Sequence, residues 1–113
     1  MINEFTIMGK VSKTPEKRST SSGKSYVNLK VWTSNGKDES GEYRDPDHHD
    51  IQIWGKAAET AAKWLKQGDW VIVNGSLKSG KYEDKDGKTV YTYRPHAHRW
   101  QFGPKVESAG DIL

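Results

Sequence analysis

The sequence predicts an all-β domain with one short helix: five strands in a Greek-key barrel, with the helix between the third and fourth. Three observations predict it. Apolar and polar residues alternate, the period of a half-buried strand, in five separate stretches. One stretch, Gly55 to Gly68, switches to a helical period. Turn-forming residues punctuate the chain between these stretches. The 113 residues suit one core and leave little room for two.

The first strand, within residues 3–11, places Phe5, Ile7, Gly9 and Val11 on one side and Glu4, Thr6, Met8 and Lys10 on the other. Thr14 to Lys24 is Pro-, Ser-, Thr- and Gly-rich and reads as a loop. In the second strand, residues 25–34, Val27, Leu29, Val31 and Thr33 oppose Tyr26, Asn28, Lys30 and Trp32. Asn35 to Asp47 reads as a long mobile loop. The third strand, about 48–54, sets His49, Ile51 and Ile53 against His48, Asp50, Gln52 and Trp54.

Ala57, Ala58, Ala61, Trp64 and Leu65 then form the stripe of an amphipathic helix, with Gly68 placed to stop it. The fourth strand, residues 69–78, turns Val71, Val73, Gly75 and Leu77 inward and Trp70, Ile72, Asn74, Ser76 and Lys78 outward. Asp86-Gly87 centres a hairpin over Ser79 to Tyr91. The fifth strand, about 89–102, contains Pro95, which lacks a backbone donor and favours an edge or a bulge. Three strands, a helix and two strands is the element order of an OB-fold, an architecture used for oligonucleotides and oligosaccharides. The domain is expected over residues 1–104, with a short, flexible tail over 105–113.

Leu, Ile, Val and Phe are sparse, at nineteen residues, but twelve aromatics supply apolar area and the net charge is only +3, which argues against disorder. Residues 1–37 carry a net +5, residues 38–50 a net −5 and residues 51–113 a net +3, a pattern that suits an anionic partner held away from an acidic loop. No apolar run approaches the ~20 residues of a membrane span, and the N-terminus lacks a signal-peptide layout. A cytoplasmic protein, in a bacterial cell or phage-infected host, is expected. The absence of cysteine excludes disulfides, thiolate zinc and a Cys nucleophile.

Several pieces, in order, carry a resemblance: Ile7-Met8-Gly9-Lys10-Val11, Pro15-Glu16-Lys17-Arg18, Asn28-Leu29-Lys30-Val31, Trp54-Gly55-Lys56-Ala57-Ala58-Glu59, Leu65-Lys66-Gln67-Gly68-Asp69 and Val71-Ile72-Val73-Asn74-Gly75-Ser76-Leu77. With Tyr82-Glu83-Asp84-Lys85-Asp86-Gly87 they resemble, over about residues 3–102, the bacterial and phage single-stranded DNA-binding (SSB) protein family. The resemblance implies binding of single-stranded DNA without strong sequence preference, during replication, recombination or repair. Bases stack on aromatic faces while a basic groove follows the phosphates, a mode for which this family is a standard example.

It implies stacking at Trp54 and Tyr82 and cationic contacts at Arg18, Lys56, Lys66, Lys78 and Lys81. It also implies a homotetramer or dimer, replication or repair proteins as further partners, no membrane and no cofactor. Three departures stand out. The loop after the second strand is short and lacks the family's aromatic, for which Tyr43 is the substitute. His48 stands where the family often has Trp, and Asp50 where it often has a cation, so lower affinity or a different path is expected. The family's long tail is reduced to Val106 to Leu113, read as a frayed terminus in preference to a minimal partner-docking tip, and the missing length suggests a phage, plasmid or otherwise specialised member.

Strand parity separates Trp54 from Ile51 and Ile53, which favours stacking over a core role, whereas Trp64 on the helix stripe reads as a core anchor. Tyr82, flanked by Lys81 and Lys85, has little structural reason to sit on a hairpin. Trp70 and Ile72, apolar on an outward face, are assigned to subunit contact. Trp32 is open between DNA and interface. His48, His96 and His98 with Asp50 invite a metal-dependent nuclease reading, but adjacent histidines on a strand point to opposite faces, so at most one of His48 and His49 can join the others. No catalytic ordering stands out, and no enzyme is expected. The other alternative is a primosome or conjugation accessory protein.

Overall fold

The strands form where the alternation lies, and a computed structural model describes them over residues 1–104. They are β1 Phe5–Lys13, β2 Arg18–Ser19, β3 Ser25–Thr33 and β4 Asp47–Trp54, then the helix α1 Gly55–Trp64, then β5 Trp70–Glu83 and β6 Thr89–Phe102. The expectation of five strands in a Greek-key barrel, with the helix between the third and fourth, is thereby corrected. Six strands join in one sheet of order β1-β5-β6-β4-β3-β2, with a further β1–β3 pairing, and the helix lies between β4 and β5. The sixth strand comes from a segment read as loop. Arg18 and Ser19 pair with Tyr26 and Ser25 across the turn at Thr20 to Lys24, and two residues are too few to show a period. The tail expected at residues 105–113 lies outside the described residues.

Parity holds through the core. Val11, Val27, Leu29, Val31, Ile51, Ile53, Val71 and Val73 are buried, and the helix closes over them with Ala58, Ala61 and Leu65. Each buried branched side chain stabilises the fold by about 1.5–3 kcal/mol relative to exposure. The helix lies close to β3 and β4 because its buried stripe is largely alanine. Trp100 fastens it to β6, its indole N–H reaching the Ala57 carbonyl at 3.1 Å and the Thr60 hydroxyl at 3.2 Å.

Trp64 is not a core anchor, being 55% exposed. The buried stripe centres on Ala58, Ala61 and Leu65, and at 100° per residue Trp64 falls about a quarter turn off it. Lys63 Nζ sits 5.1 Å from its ring centroid instead. The helix also ends before Gly68, at Leu65. Gly68, at φ +92°, serves the following turn, where its N–H donates to the Val11 carbonyl.

The segment read as the loop Asn35 to Asp47 has local structure of its own. It folds into a small hairpin with a Lys37–Tyr43 bridge, and the Asp38 carboxylate accepts from the Ser40 hydroxyl and the Ser40 and Glu42 N–H groups. These bonds, the Ser40 hydroxyl first, hold the Asp38 carboxyl below its ordinary value.

β5 and β6 pair along almost their whole length, from Val71–Phe102 to Glu83–Thr89. The pairing slips between Asn74 and Gly75, leaving His98 as a bulged residue on β6. Ser76 keeps its outward parity, paired with His96, yet is buried, its hydroxyl 3.3 Å from His98 Nε2. Pro95 lies within β6 opposite Leu77 at little cost. Both backbone groups of Leu77 bond the Asn3 side-chain amide at 2.8 Å, so neither looks to Pro95 for a partner. Beyond this point neither β1 nor β4 pairs with the ribbon, and β5 and β6 continue as a two-stranded arm. Its turn is tied by Asp84 Oδ1, which accepts from the Asp86 and Lys88 N–H groups.

Candidate nucleic-acid interface

The outward residues of β3 and β4 are set by register into four rungs: Tyr26–Trp54, Asn28–Gln52, Lys30–Asp50 and Trp32–His48. Directly paired residues share a face of the sheet. The β2–β3 pairing adds Arg18 to the first rung, and the parallel β4–β6 pairing adds His96 to the second. Alternation along the ribbon then continues this face through Lys78–Arg94, Gly80–Thr92 and Tyr82–Val90. A recess lined by Gln52, Lys78, Arg94 and His96, among others, joins the two halves.

Trp54 stacks on Tyr26 with ring centroids 4.8 Å apart and planes at 29°, and its indole N–H donates to Gln52 Oε1 at 3.2 Å. One face of the indole is therefore backed and its angle fixed, while its surroundings form an open recess with Lys24, Ser25, Lys56 and Glu59. The same recess meets the start of α1, whose first turn has no side-chain cap and no acidic residue, the Glu59 carboxylate following just after it. Lys30 Nζ and Asp50 Oδ2 pair at 3.4 Å in the middle of the ladder.

Of the residues expected to act together, Trp54, Arg18, Lys56, Lys78 and Tyr82 belong to this face or its margin. His48 lies on its far rung beside Trp32. Lys81 lies on the opposite face of the arm, directly across from Tyr91. Lys66 follows the C-terminal end of the helix, a helix length of about 15 Å from Trp54. Tyr43 lies in the small hairpin with Lys37 Nζ 4.9 Å from its ring centroid. Tyr26, Gln52 and Arg94, which the sequence reading does not select, lie on this face as well, and so does His96, considered there only as a metal ligand. Parity already placed Tyr26 and Gln52 outward, but pairing register is what lines them up with Trp54.

Burial lowers the proton affinity of His96, and the charges of Lys78, Arg94 and His98 lower it further. Because its folded value lies below the ordinary 6.5, the unfolded chain takes up this proton more readily. The stabilisation is present above about pH 6.5 and falls away as the pH drops through the folded value. His96→Gln is expected to lose less stability than the native chain when urea unfolding is compared at about pH 7.5 and about pH 5.5. Equal losses would show that His96 contributes nothing to the dependence.

Trp70 and Ile72 are half-buried on a second outward face, paired with Lys10 and Met8 of β1 and, for Ile72, Gln101 of β6. Lys10 Nζ lies 5.6 Å from the Trp70 ring centroid. His48, His96 and His98 do not gather around Asp50. Among the described residues no group of three His, Asp or Glu side chains is placed to hold a metal, nor is any helix long and apolar enough to cross a membrane.

This face thus combines a stacked aromatic pair, several cations and a fixed register. A family model described as "Single-strand binding protein family" matches residues 2–103, and the chain belongs to that family. A single-stranded DNA-binding protein 1 of Chlorobaculum tepidum is 37% identical over 93 residues, 80% of this chain and 57% of that protein. Single-stranded DNA-binding proteins of Oceanobacillus iheyensis and Bacillus cereus are 29% and 33% identical over 90% of this chain, and 63% and 60% of their own lengths. The chain thus spans roughly three fifths of these curated relatives. A crystal structure of a deletion mutant of the single-stranded DNA binding protein from Thermus aquaticus shares the fold, with a TM-score of 0.75 at 24% identity over 96% of this chain and 52% of that one.

Proposed function

We propose that this protein binds single-stranded DNA without strong sequence preference, protecting and organising it in DNA replication, recombination or repair in the cytoplasm. The observation that carries the proposal is the Trp54 indole, backed by Tyr26 and held by Gln52 on an open face, with Arg18 on its rung and Lys56 beside it. Bases stack on Trp54 and, further along, on Tyr82. Phosphates follow Arg18, Lys56, Lys78 and Arg94. Such contacts are blind to base identity, since every base has a π-face and every nucleotide a charge. His48, with Trp32, extends the track at its far end. Lys66 and Tyr43 lie away from the Trp54 rung and act, if DNA reaches them, on a strand that has left it.

Titration with oligo-dT, followed by tryptophan fluorescence at two salt concentrations, tests this. The expected result is strong quenching, similar affinity for dT and dC, and a log–log salt slope of about −0.7 for each phosphate neutralised. Absence of quenching at low salt would favour the accessory-protein alternative.

The protein is further proposed to assemble as a homodimer or homotetramer through the β1–β5–β6 face around Trp70 and Ile72, an apolar pair that another subunit would cover. Trp70→Ser with Ile72→Ser is expected to lower the mass measured by light scattering while the chain stays folded. An unchanged mass would remove these residues from the interface. Replication or repair proteins are proposed as further partners.

A further inference from the structure

Tyr91 and Tyr93 are among the most exposed large side chains of the described residues, at 79% and 71%, and the stacking role proposed above does not use them. Their face of the arm continues the inner side of the sheet. There Gly75 pairs with Ala97 and Leu77 with Pro95, followed by Ser79–Tyr93 and Lys81–Tyr91. The body covers that side fully at Ala97 and partly at Leu77–Pro95, and from Tyr93 onward the face is open. The two tyrosines therefore stand on the face opposite Tyr82, with Lys81 across from Tyr91.

Residues two apart on a strand are separated by about 6.8 Å, roughly twice the ~3.4 Å spacing of stacked bases. Two rings so placed leave room between them for one planar group of that thickness, while the short Thr92 side chain between them in sequence points to the other face. Resting on the proposed DNA-binding function, we propose that Tyr91 and Tyr93 clamp one base of a single strand that has left the Trp54 groove, and that Lys81 meets its phosphate. Charge favours this occupant over a second copy of the chain. Residues 78–94 carry five cations and three acids, and the Asp84 carboxylate is engaged in the turn, so two such arms would repel each other.

The test compares Tyr91→Leu/Tyr93→Leu with Tyr91→Phe/Tyr93→Phe, using a short oligo-dT of about 6 nucleotides and a long one of about 30, against the ~4–16 nucleotides one such domain occupies. The leucine pair is expected to bind the short probe like the native chain and the long probe on the order of tenfold more weakly or worse, while the phenylalanine pair binds both normally. Long oligonucleotides bearing 5-iodouracil should crosslink to the peptide holding Tyr91 and Tyr93. Native affinity of the leucine pair for the long probe, with no crosslink there, would overturn the clamp. So would a changed sedimentation mass with unaltered DNA binding, which would assign the tyrosines to contact between copies. Failure of either probe to quench tryptophan fluorescence in the native chain would instead remove the underlying DNA-binding proposal.

Discussion

Trp54→Ala is expected to weaken oligo-dT binding by about 1 to 3 kcal/mol, roughly 5- to 150-fold, the range for losing one stacking platform. The structure separates this from a folding defect. The indole lies outside the buried cluster, and its neighbours are Tyr26 at 4.8 Å and the Gln52 amide at 3.2 Å. An aromatic pair of this kind contributes about 0.5–1.5 kcal/mol, so thermal unfolding should shift by only a few degrees. Trp54→Phe should recover most of the affinity, since a ring remains to stack. A variant that binds normally but unfolds far below the native temperature would make Trp54 a structural residue and return the groove to the cations alone.

Gly75→Ala is expected to destabilise the domain by about 3 kcal/mol or more, at or beyond the usual range for overpacking. A Cβ at this position would run into the His96 carbonyl oxygen and lie 2.7 Å from the Ala97 Cα, both of them backbone, so no side chain can turn aside. The bulge at His98 produces this approach, because the slip in register leaves Gly75 opposite Ala97. For a domain of this size the loss corresponds to a fall of roughly 10 °C or more in Tm. Gly80→Ala is the control: there an added Cβ meets the Thr92 hydroxyl at 2.9 Å, which a rotation of that side chain relieves. Similar melting temperatures for the two variants would show that the crossing at Gly75 is looser than the geometry indicates.

The two predictions differ in how far the sequence anticipates them. Trp54 is legible as an outward-facing residue from parity, because alternation along one strand decides which side a side chain takes. Its partners Tyr26 and Gln52 depend on which strand lies alongside and in what register, and a residue's own neighbours in sequence carry no record of that. Gly75 reads as an ordinary inward position, since the bulge that makes it irreplaceable lies on a strand more than twenty residues away. Lys78 and Lys81 read alike as cationic contacts beside the Tyr82 hairpin, yet three residues along a strand reverses the face, and the structure divides them between the two sides of the arm.

By itself the sequence determined which residues are buried in β1, β3 and β4, the presence of one helix and the Asp-Gly hairpin, because each follows from the periods of 2.0 and 3.6 and from turn geometry. Only the tertiary structure decided the sixth strand, the order of the sheet, the exposure of Trp64 and the opposing placement of Tyr82 and Tyr91. These depend on contacts between segments distant in sequence. Two-residue pairings, a helix rotated by a quarter turn and a one-residue slip are all set by how surfaces fit, which local patterning does not encode.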